Sequence, residues 1–205
     1  MFLFLSIYSI FILATKIDPL YKSTERLIRK LEYPYFSDFL LILEKQMASE
    51  LEQILLTPGQ DLGHSEWLEI TQAMITSFGE VTRDPDPLHM DPEWARANTD
   101  YEDTIAYGFL TVSLLTGLFA SATGISSASE APLPGHFLNY GFNRLRFVSP
   151  VPVNSRIRAH FRRSAEEARR DGRKAVLTVE VSIEIEGHDQ PALVAEWLAA
   201  WVSHG

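Results

Sequence analysis

Residues 105–129 read IAYGFLTVSLLTGLFASATGISSAS and carry no charge. On a helical wheel, Phe109, Leu110, Val112, Leu114, Leu115, Leu118 and Phe119 surround the axis almost completely. A helix that is apolar all round lies in a protein core or in a membrane. Thr111, Ser113, Thr116, Gly117 and Ser121 speak against lipid, and the helical run ends by Gly124. The expectation is a buried central helix over 109–122, which then needs long elements to cover it.

The cover follows in the chain. Segments 137–147, 155–165, 176–185 and 193–202 have strand character, and VLTVEVSIEI at 176–185 puts its apolar residues on one face. Glu186-Gly187-His188-Asp189 separates the last two as a turn. Upstream, Thr71 can cap a helix running to about Val81, with Ala73, Met74, Ile75 and Phe78 on its apolar face. Pro85 and Pro87 hold Asp84 and Asp86 extended, which stops that helix. Asp91-Pro92 opens the next one, to about Asn98, and 99–104 is a polar loop. An antiparallel sheet wrapped around one long buried helix is an α+β fold of the hot-dog type.

Composition narrows the function. The chain has 205 residues, one domain and a remainder by length, with 27 acids, 18 bases and a net charge of −9. At 46% hydrophobic and 22% charged residues it is ordinary globular protein, not a disordered chain. The acid excess argues against duplex DNA, so no nucleic-acid partner is expected. With no cysteine, disulfides, thiolate catalysis and Cys-based zinc sites are excluded. The histidines at 64, 89, 136, 160, 188 and 204 lack metal-ligand spacing, and no metal site is expected. There is no G-x-S-x-G, no Gly-rich phosphate loop and no H-E-x-x-H. Between 144 and 174, ten Arg and Lys stand against three Asp and Glu. The stretch reads first as the solvated face of long strands, and alternatively as an anchor for a phosphorylated ligand such as coenzyme A.

The first 46 residues differ from the rest. MFLFLSIYSIFILAT at 1–15 is too short for a membrane span and has no basic residue before Lys16 to make a signal peptide. Met47 opens MASELEQILL, a start typical of cytosolic chains. Residues 1–46 are therefore read as an N-terminal extension that a start at Met47 would leave out of the native chain, and 47–205 as a single domain. The localisation expected is cytoplasmic, with membrane association through the apolar N-terminus as the alternative.

The chemistry concentrates in RDPDPLHMDPEWA at 83–95 and in the opening of the apolar helix. Asp84 and His89 share one short proline-stiffened loop, where a carboxylate and an imidazole can grip one water. An imidazole exchanges protons near neutral pH. Gly108, just before the helix, lets a substrate oxygen approach the backbone N–H, where the helix end favours negative charge. Taken singly, Asp84 and Asp86 are also good turn residues and His89 a good structural histidine. Asp91 is assigned to capping, and Thr111 and Ser113 suit helix packing. The combination with Gly108 and the apolar helix favours function for Asp84 and His89.

These residues resemble a known family. Asp84-Pro-Asp-Pro-Leu-His89 is similar to the D-x-N-P-x-H motif of the R-specific enoyl-CoA hydratases, the MaoC-like dehydratases. Asp91-Pro92 and Tyr107-Gly108-Phe109-Leu110-Thr111 also resemble it, and LNYGFNRLRFVSPVPV and PALVAEWLAAWV resemble its NodN-like branch. The resemblance covers about residues 65–203. It implies a hot-dog fold, usually a homodimer, without metal or redox cofactor, acting on a coenzyme A or acyl carrier protein thioester. It implies syn addition of water to a trans-2-enoyl thioester, with Asp84 taking a proton from water. His89 would hold that water and help deliver a proton to the α-carbon, the Gly108 N–H would polarise the thioester carbonyl, and Ser113 would face the site. Two positions depart from the pattern. Asp86 replaces the motif's Asn and adds charge beside Asp84, and Tyr107 replaces the His that often precedes the glycine; both are carried as substrate-side candidates. A hot-dog acyl-CoA thioesterase and a non-catalytic acyl-thioester-binding subunit remain alternatives.

Overall fold

Alternation along the chain becomes alternation across a sheet. The computed structural model describes residues 57–124, 135–166 and 168–203. In chain order these form β1 (Asp61–His64), β2 (Leu68–Glu69), α1 (Gln72–Thr82), α2 (Pro87–Met90), α3 (Pro92–Asn98), α4 (Gly108–Ser113) and α5 (Leu115–Thr123). There follow β3 (Gly135–Phe147), β4 (Arg156–Arg163), β5 (Arg169–Asp171), β6 (Lys174–Ile185) and β7 (Leu193–Ser203). The extension expected over 1–46, the start at Met47 and the charge-free run beyond Gly124 lie outside the described residues.

The sheet runs β1-β4-β6-β7-β3, with β2 on β4 and β5 on β6, and every one of its strand pairs is antiparallel. β6 buries Ala175, Leu177, Val179, Val181, Ile183 and Ile185 on one face, as its period of two requires. β4 turns Ile157, Ala159 and Phe161 to the same side and Arg156, Arg158, His160 and Arg162 to the other. β3 keeps register with β7 through two irregularities, at Asn139/Gly141 and Phe142/Arg144.

The covered helix is α4 followed by α5. Phe119 is the hub of the core: its ring meets Phe161 at 5.3 Å, Trp197 at 5.6 Å and Phe137 at 5.9 Å, all edge-on. This is the hot-dog arrangement the sequence led to. Two details correct it. The helix is interrupted at Leu114, although the Leu114 and Leu118 N–H groups still bond four residues back. Nor is it buried all round: Phe109 is 67% exposed, and Ser113, Thr116, Gly117 and Ser121 are exposed as well. A single sheet covers one side of a helix, so the small polar residues fall on the side it leaves open.

Part of the basic stretch resolves into strand-face pairing. Arg158 makes a two-point contact with Glu184 at 3.2 and 3.1 Å, and Arg156 grips Glu186 in the same way. A depression of about 830 Å³ on β3, β4, β6 and β7 is lined by Arg144, His160, Arg162, Glu180 and Glu196 among others. Across those strands Arg162, Glu180, Glu196 and Arg144 lie in register, two acids flanked by two bases, and this balanced row is a poor anchor for a phosphate. Arg163 departs from the solvated-face expectation. It takes an inward position at the end of β4, is 1% exposed, and donates to the carbonyls of Ser164, Thr178 and Glu166.

Candidate active site

The site is framed by a helix that stops abruptly. Thr71 caps α1 by accepting from the Met74 N–H, as expected. At the other end Arg83 adopts a left-handed conformation, φ 58°, costly for a residue with a side chain. Its N–H bonds the Glu80 carbonyl, and the Asp84 N–H reaches back to the Gly79 carbonyl at 2.9 Å, the paired closure of a Schellman motif. Asp84 is thereby fixed two residues past the helix, with Pro85 preventing any continuation.

The stretch that follows is not a loop throughout. Asp86 caps α2, its Oδ1 accepting from the Leu88 N–H at 2.9 Å, with Pro87 at the first position and His89 in the turn. Asp91 then caps α3, accepting from the Glu93 and Trp94 N–H groups, both at 3.0 Å. Two Asp-Pro pairs thus start two consecutive short helices. Asp86 does here what an asparagine in the motif could do equally well, so its extra charge is spent on a cap.

His89 folds back onto the chain before the central helix. Its Nδ1 lies 2.7 Å from the Ile105 carbonyl oxygen. A carbonyl only accepts, so Nδ1 carries the proton and Nε2 is left as the working nitrogen. Ile105 is itself braced: Ala106 N–H donates to Val151 O at 2.8 Å and Val153 N–H to Thr104 O at 3.0 Å.

Tyr107 ties the two candidates together. Its ring sits 3.9 Å, centre to centre, from that of His89, and its hydroxyl donates to the Asp84 carbonyl. It is 5% exposed, so its phenol serves the frame of the site, not the substrate side where the sequence put it. Gly79 makes room for this: a Cβ there would lie 2.5 Å from the Tyr107 hydroxyl and 2.7 Å from the Met90 sulfur. Burial, then the negative charges of Asp84 and Asp86, raise the Tyr107 phenol above its ordinary value, with the Asp86 N–H opposing. A phenol raised in the folded state contributes stability in full below the unfolded value, near about pH 10, and loses it as pH climbs through the folded one. Urea unfolding of the wild type and Tyr107→Phe should therefore differ by about 1 kcal/mol near neutral pH and converge above about pH 10. A difference independent of pH would remove the hydroxyl from this account.

Gly108 opens α4, whose preceding Tyr107 gives no side-chain cap, so the N–H groups of the first turn are left for another acceptor. A Cβ on Gly108 would come within 2.9 Å of the Phe147 ring. Ser113 is exposed, and its hydroxyl donates to the Phe109 carbonyl at 2.7 Å, a bond within its own helix. Asp84 and Asp86 are exposed and His89 is half-buried. Among the described residues no group of three or more His, Cys, Asp or Glu could hold a metal ion.

Sequence reasoning missed two residues. Thr104, placed in a polar loop, is fully buried and donates to Gln72 Oε1 at 2.5 Å; Gln72 Nε2 in turn donates to the His89 carbonyl at 2.9 Å. No local pattern marks either, because the contact joins positions 32 residues apart.

Comparison with known proteins identifies the family. Residues 53–185 match the family described as the MaoC like domain. The chain is 41% identical over 140 residues to nodulation protein N of Rhizobium leguminosarum bv. viciae, covering 68% of this chain and 83% of that protein. It is 37% identical over 145 residues to 3-hydroxyacyl-thioester dehydratase Z of Mycobacterium tuberculosis, covering 71% and 91%. The solved (R)-hydratase from A. caviae involved in PHA biosynthesis superposes with a TM-score of 0.54 at 26% identity, over 70% of this chain and 96% of that one. On the match over more than half its length, the chain belongs to the MaoC-like dehydratase family.

Proposed function

We propose that this chain adds water reversibly across the double bond of a trans-2-enoyl thioester, giving a (3R)-hydroxyacyl thioester. One observation carries the reading. Of the three aspartates between residues 84 and 91, Asp86 and Asp91 are spent on helix caps, while the Asp84 carboxylate accepts no hydrogen bond from any described residue. A turn aspartate would use its side chain on the turn; this one is held only by its main chain.

In the proposed reaction Asp84 takes a proton from water as the oxygen bonds to C3. The electron pair of the double bond moves toward the thioester carbonyl, where the Gly108 N–H at the end of the central helix meets the developing charge. His89 Nε2 accepts a hydrogen bond from the water and helps pass the proton that Asp84 took on to C2, so both side chains end as they began and one water is added. Relatives named as a 3-hydroxyacyl-thioester dehydratase and an (R)-hydratase support the assignment. Crotonyl-CoA tests it: loss of the enoyl absorbance without thiol release is the expected result. Thiol release would make the protein a thioesterase, and no change in either signal would leave a binding subunit.

The working form is a homodimer. β3 ends the sheet, and its outer edge has no partner strand among the described residues. Phe109, Phe147 and Val148 are exposed beside it, and Phe109 and Phe147 pack edge-on at 5.8 Å. A long free edge flanked by aromatics needs a cover, which a second copy supplies. Sedimentation should report twice the chain mass of 23.2 kDa; a particle of one chain mass overturns the dimer. Residues 1–46 remain, on this proposal, an extension to a single domain over 47–205.

A further inference from the structure

We propose that Gln72 and Thr104 act together as positioning residues that fix where the His89 imidazole presents Nε2, an inference that rests on the hydratase reading above. His89 hangs from residues 104–105 at two points. Its ring bonds the Ile105 carbonyl directly at 2.7 Å. Its main-chain carbonyl is held by Gln72 Nε2 at 2.9 Å, and Gln72 Oε1 accepts from the Thr104 hydroxyl at 2.5 Å.

The orientation of the Gln72 amide follows from its partners. The His89 carbonyl can only accept, so the nitrogen must face it, and the oxygen is left for the Thr104 hydroxyl. A second Nε2 bond, to Thr76 Oγ1 at 3.2 Å, accounts for the remaining amide hydrogen. The 104–105 segment is a firm rail, because Val153 and Ala106 lock it to 151–153. Thr104 is 0% exposed, so its hydroxyl has no water to turn to if Gln72 is lost.

The amide is not needed to start α1. Thr71 already caps that helix, and Ile70 is anchored on both sides, its N–H on the Ser155 carbonyl at 2.9 Å and its carbonyl on the Asn154 N–H at 2.8 Å. What Gln72 adds is the second point of attachment for His89. Without it the ring keeps its packing on Tyr107 and a bond to Ile105 that a shifted main chain breaks, so either nitrogen can carry the proton; with it, Nδ1 stays on the carbonyl and Nε2 has one location.

Gln72→Met keeps the length and removes both bonding groups, and Thr104→Val keeps the shape and removes the hydroxyl. Each is expected to lower kcat on crotonyl-CoA by about tenfold to a hundredfold, with KM within about twofold, since misplacement by about an ångström costs this much. The double variant should lose no more than the worse single, as expected of two halves of one clasp. Long-range proton–nitrogen NMR supplies a readout independent of activity: wild-type His89 should show the Nδ1–H tautomer, and Gln72→Met a mixture. Should Gln72→Met fail to fold, Thr104→Val carries the same measurements. An unchanged tautomer and unchanged kcat, with only a lower Tm, overturn the positioning role. A wild type that does not hydrate crotonyl-CoA, with a tautomer that still shifts in the variants, overturns the hydratase reading and leaves the positioning of His89 standing.

Discussion

Asp84→Asn is expected to lower the turnover of enoyl-thioester hydration by about 10²-fold or more, the usual worth of a general base, while leaving the unfolding curve nearly where it was. The stability half of this result follows from how Asp84 is held. Its N–H bonds the Gly79 carbonyl and its own carbonyl accepts from Tyr107, and both contacts belong to the main chain. The side chain is exposed and accepts from no described residue, so an amide of the same shape should change stability by no more than about 0.5 kcal/mol. The activity half follows from chemistry. An amide has no basic lone pair at neutral pH and cannot accept the proton that water must lose. Asp86→Asn is the matched control: asparagine caps a helix as well as aspartate, so α2 survives and turnover should stay within about threefold of wild type. Absorbance decay of crotonyl-CoA measures both. Wild-type turnover in Asp84→Asn would move the base elsewhere.

The contrast between these two aspartates shows what the sequence could and could not express. That 83–95 was special was legible, since three Asp-Pro pairs and a histidine in nine residues are dense in conformational instruction. The capping of α1 by Thr71 and of α3 by Asp91 was legible for the same reason, as were the four long strands, because period and caps are local. Which of Asp84 and Asp86 is spent on a cap was not, since α2 is four residues long, too short to show a period. β1, β2 and β5 were missed because four, two and three residues are too few to show a period. The half-exposed central helix was missed for a different reason. An uncharged sequence looks the same whether its serines and threonines face solvent or pack inside; only the one-sided sheet decides.

Tyr107 extends the point. Read beside Gly108 it looked like part of the substrate surface. The structure turns it inward, where one side chain bonds the main chain of the carboxylate candidate and packs, tilted, against the imidazole candidate. A histidine at this place has no hydroxyl at that distance, so the departure from the family pattern comes with its own frame. Gly79 belongs to that frame, because the phenol occupies the volume a side chain would take. Asp84 and His89 therefore share a contact residue from another part of the chain, which spacing along 84–89 could not reveal.

His89→Ala and His89→Gln separate the two things His89 does. Alanine removes the ring, the Nδ1–H bond to the Ile105 carbonyl and the packing against Tyr107. It is expected to cost about 1–3 kcal/mol, because a half-buried carbonyl loses its donor, and to lower turnover by about 10²-fold or more. Glutamine can place an N–H on the Ile105 carbonyl, and so should recover much of that stability. It cannot exchange a proton near neutral pH, so turnover should remain as low as in alanine. If glutamine restored turnover along with stability, His89 would be a structural histidine that braces the chain, and the proton would have to travel another way. Combining His89→Gln with Asp84→Asn sharpens the test. Two groups that handle one water in one step fail together, so the double variant should be no slower than about the worse single. Losses that multiply would mean the two side chains act in separate steps, and the picture of one water held between carboxylate and imidazole would have to be abandoned.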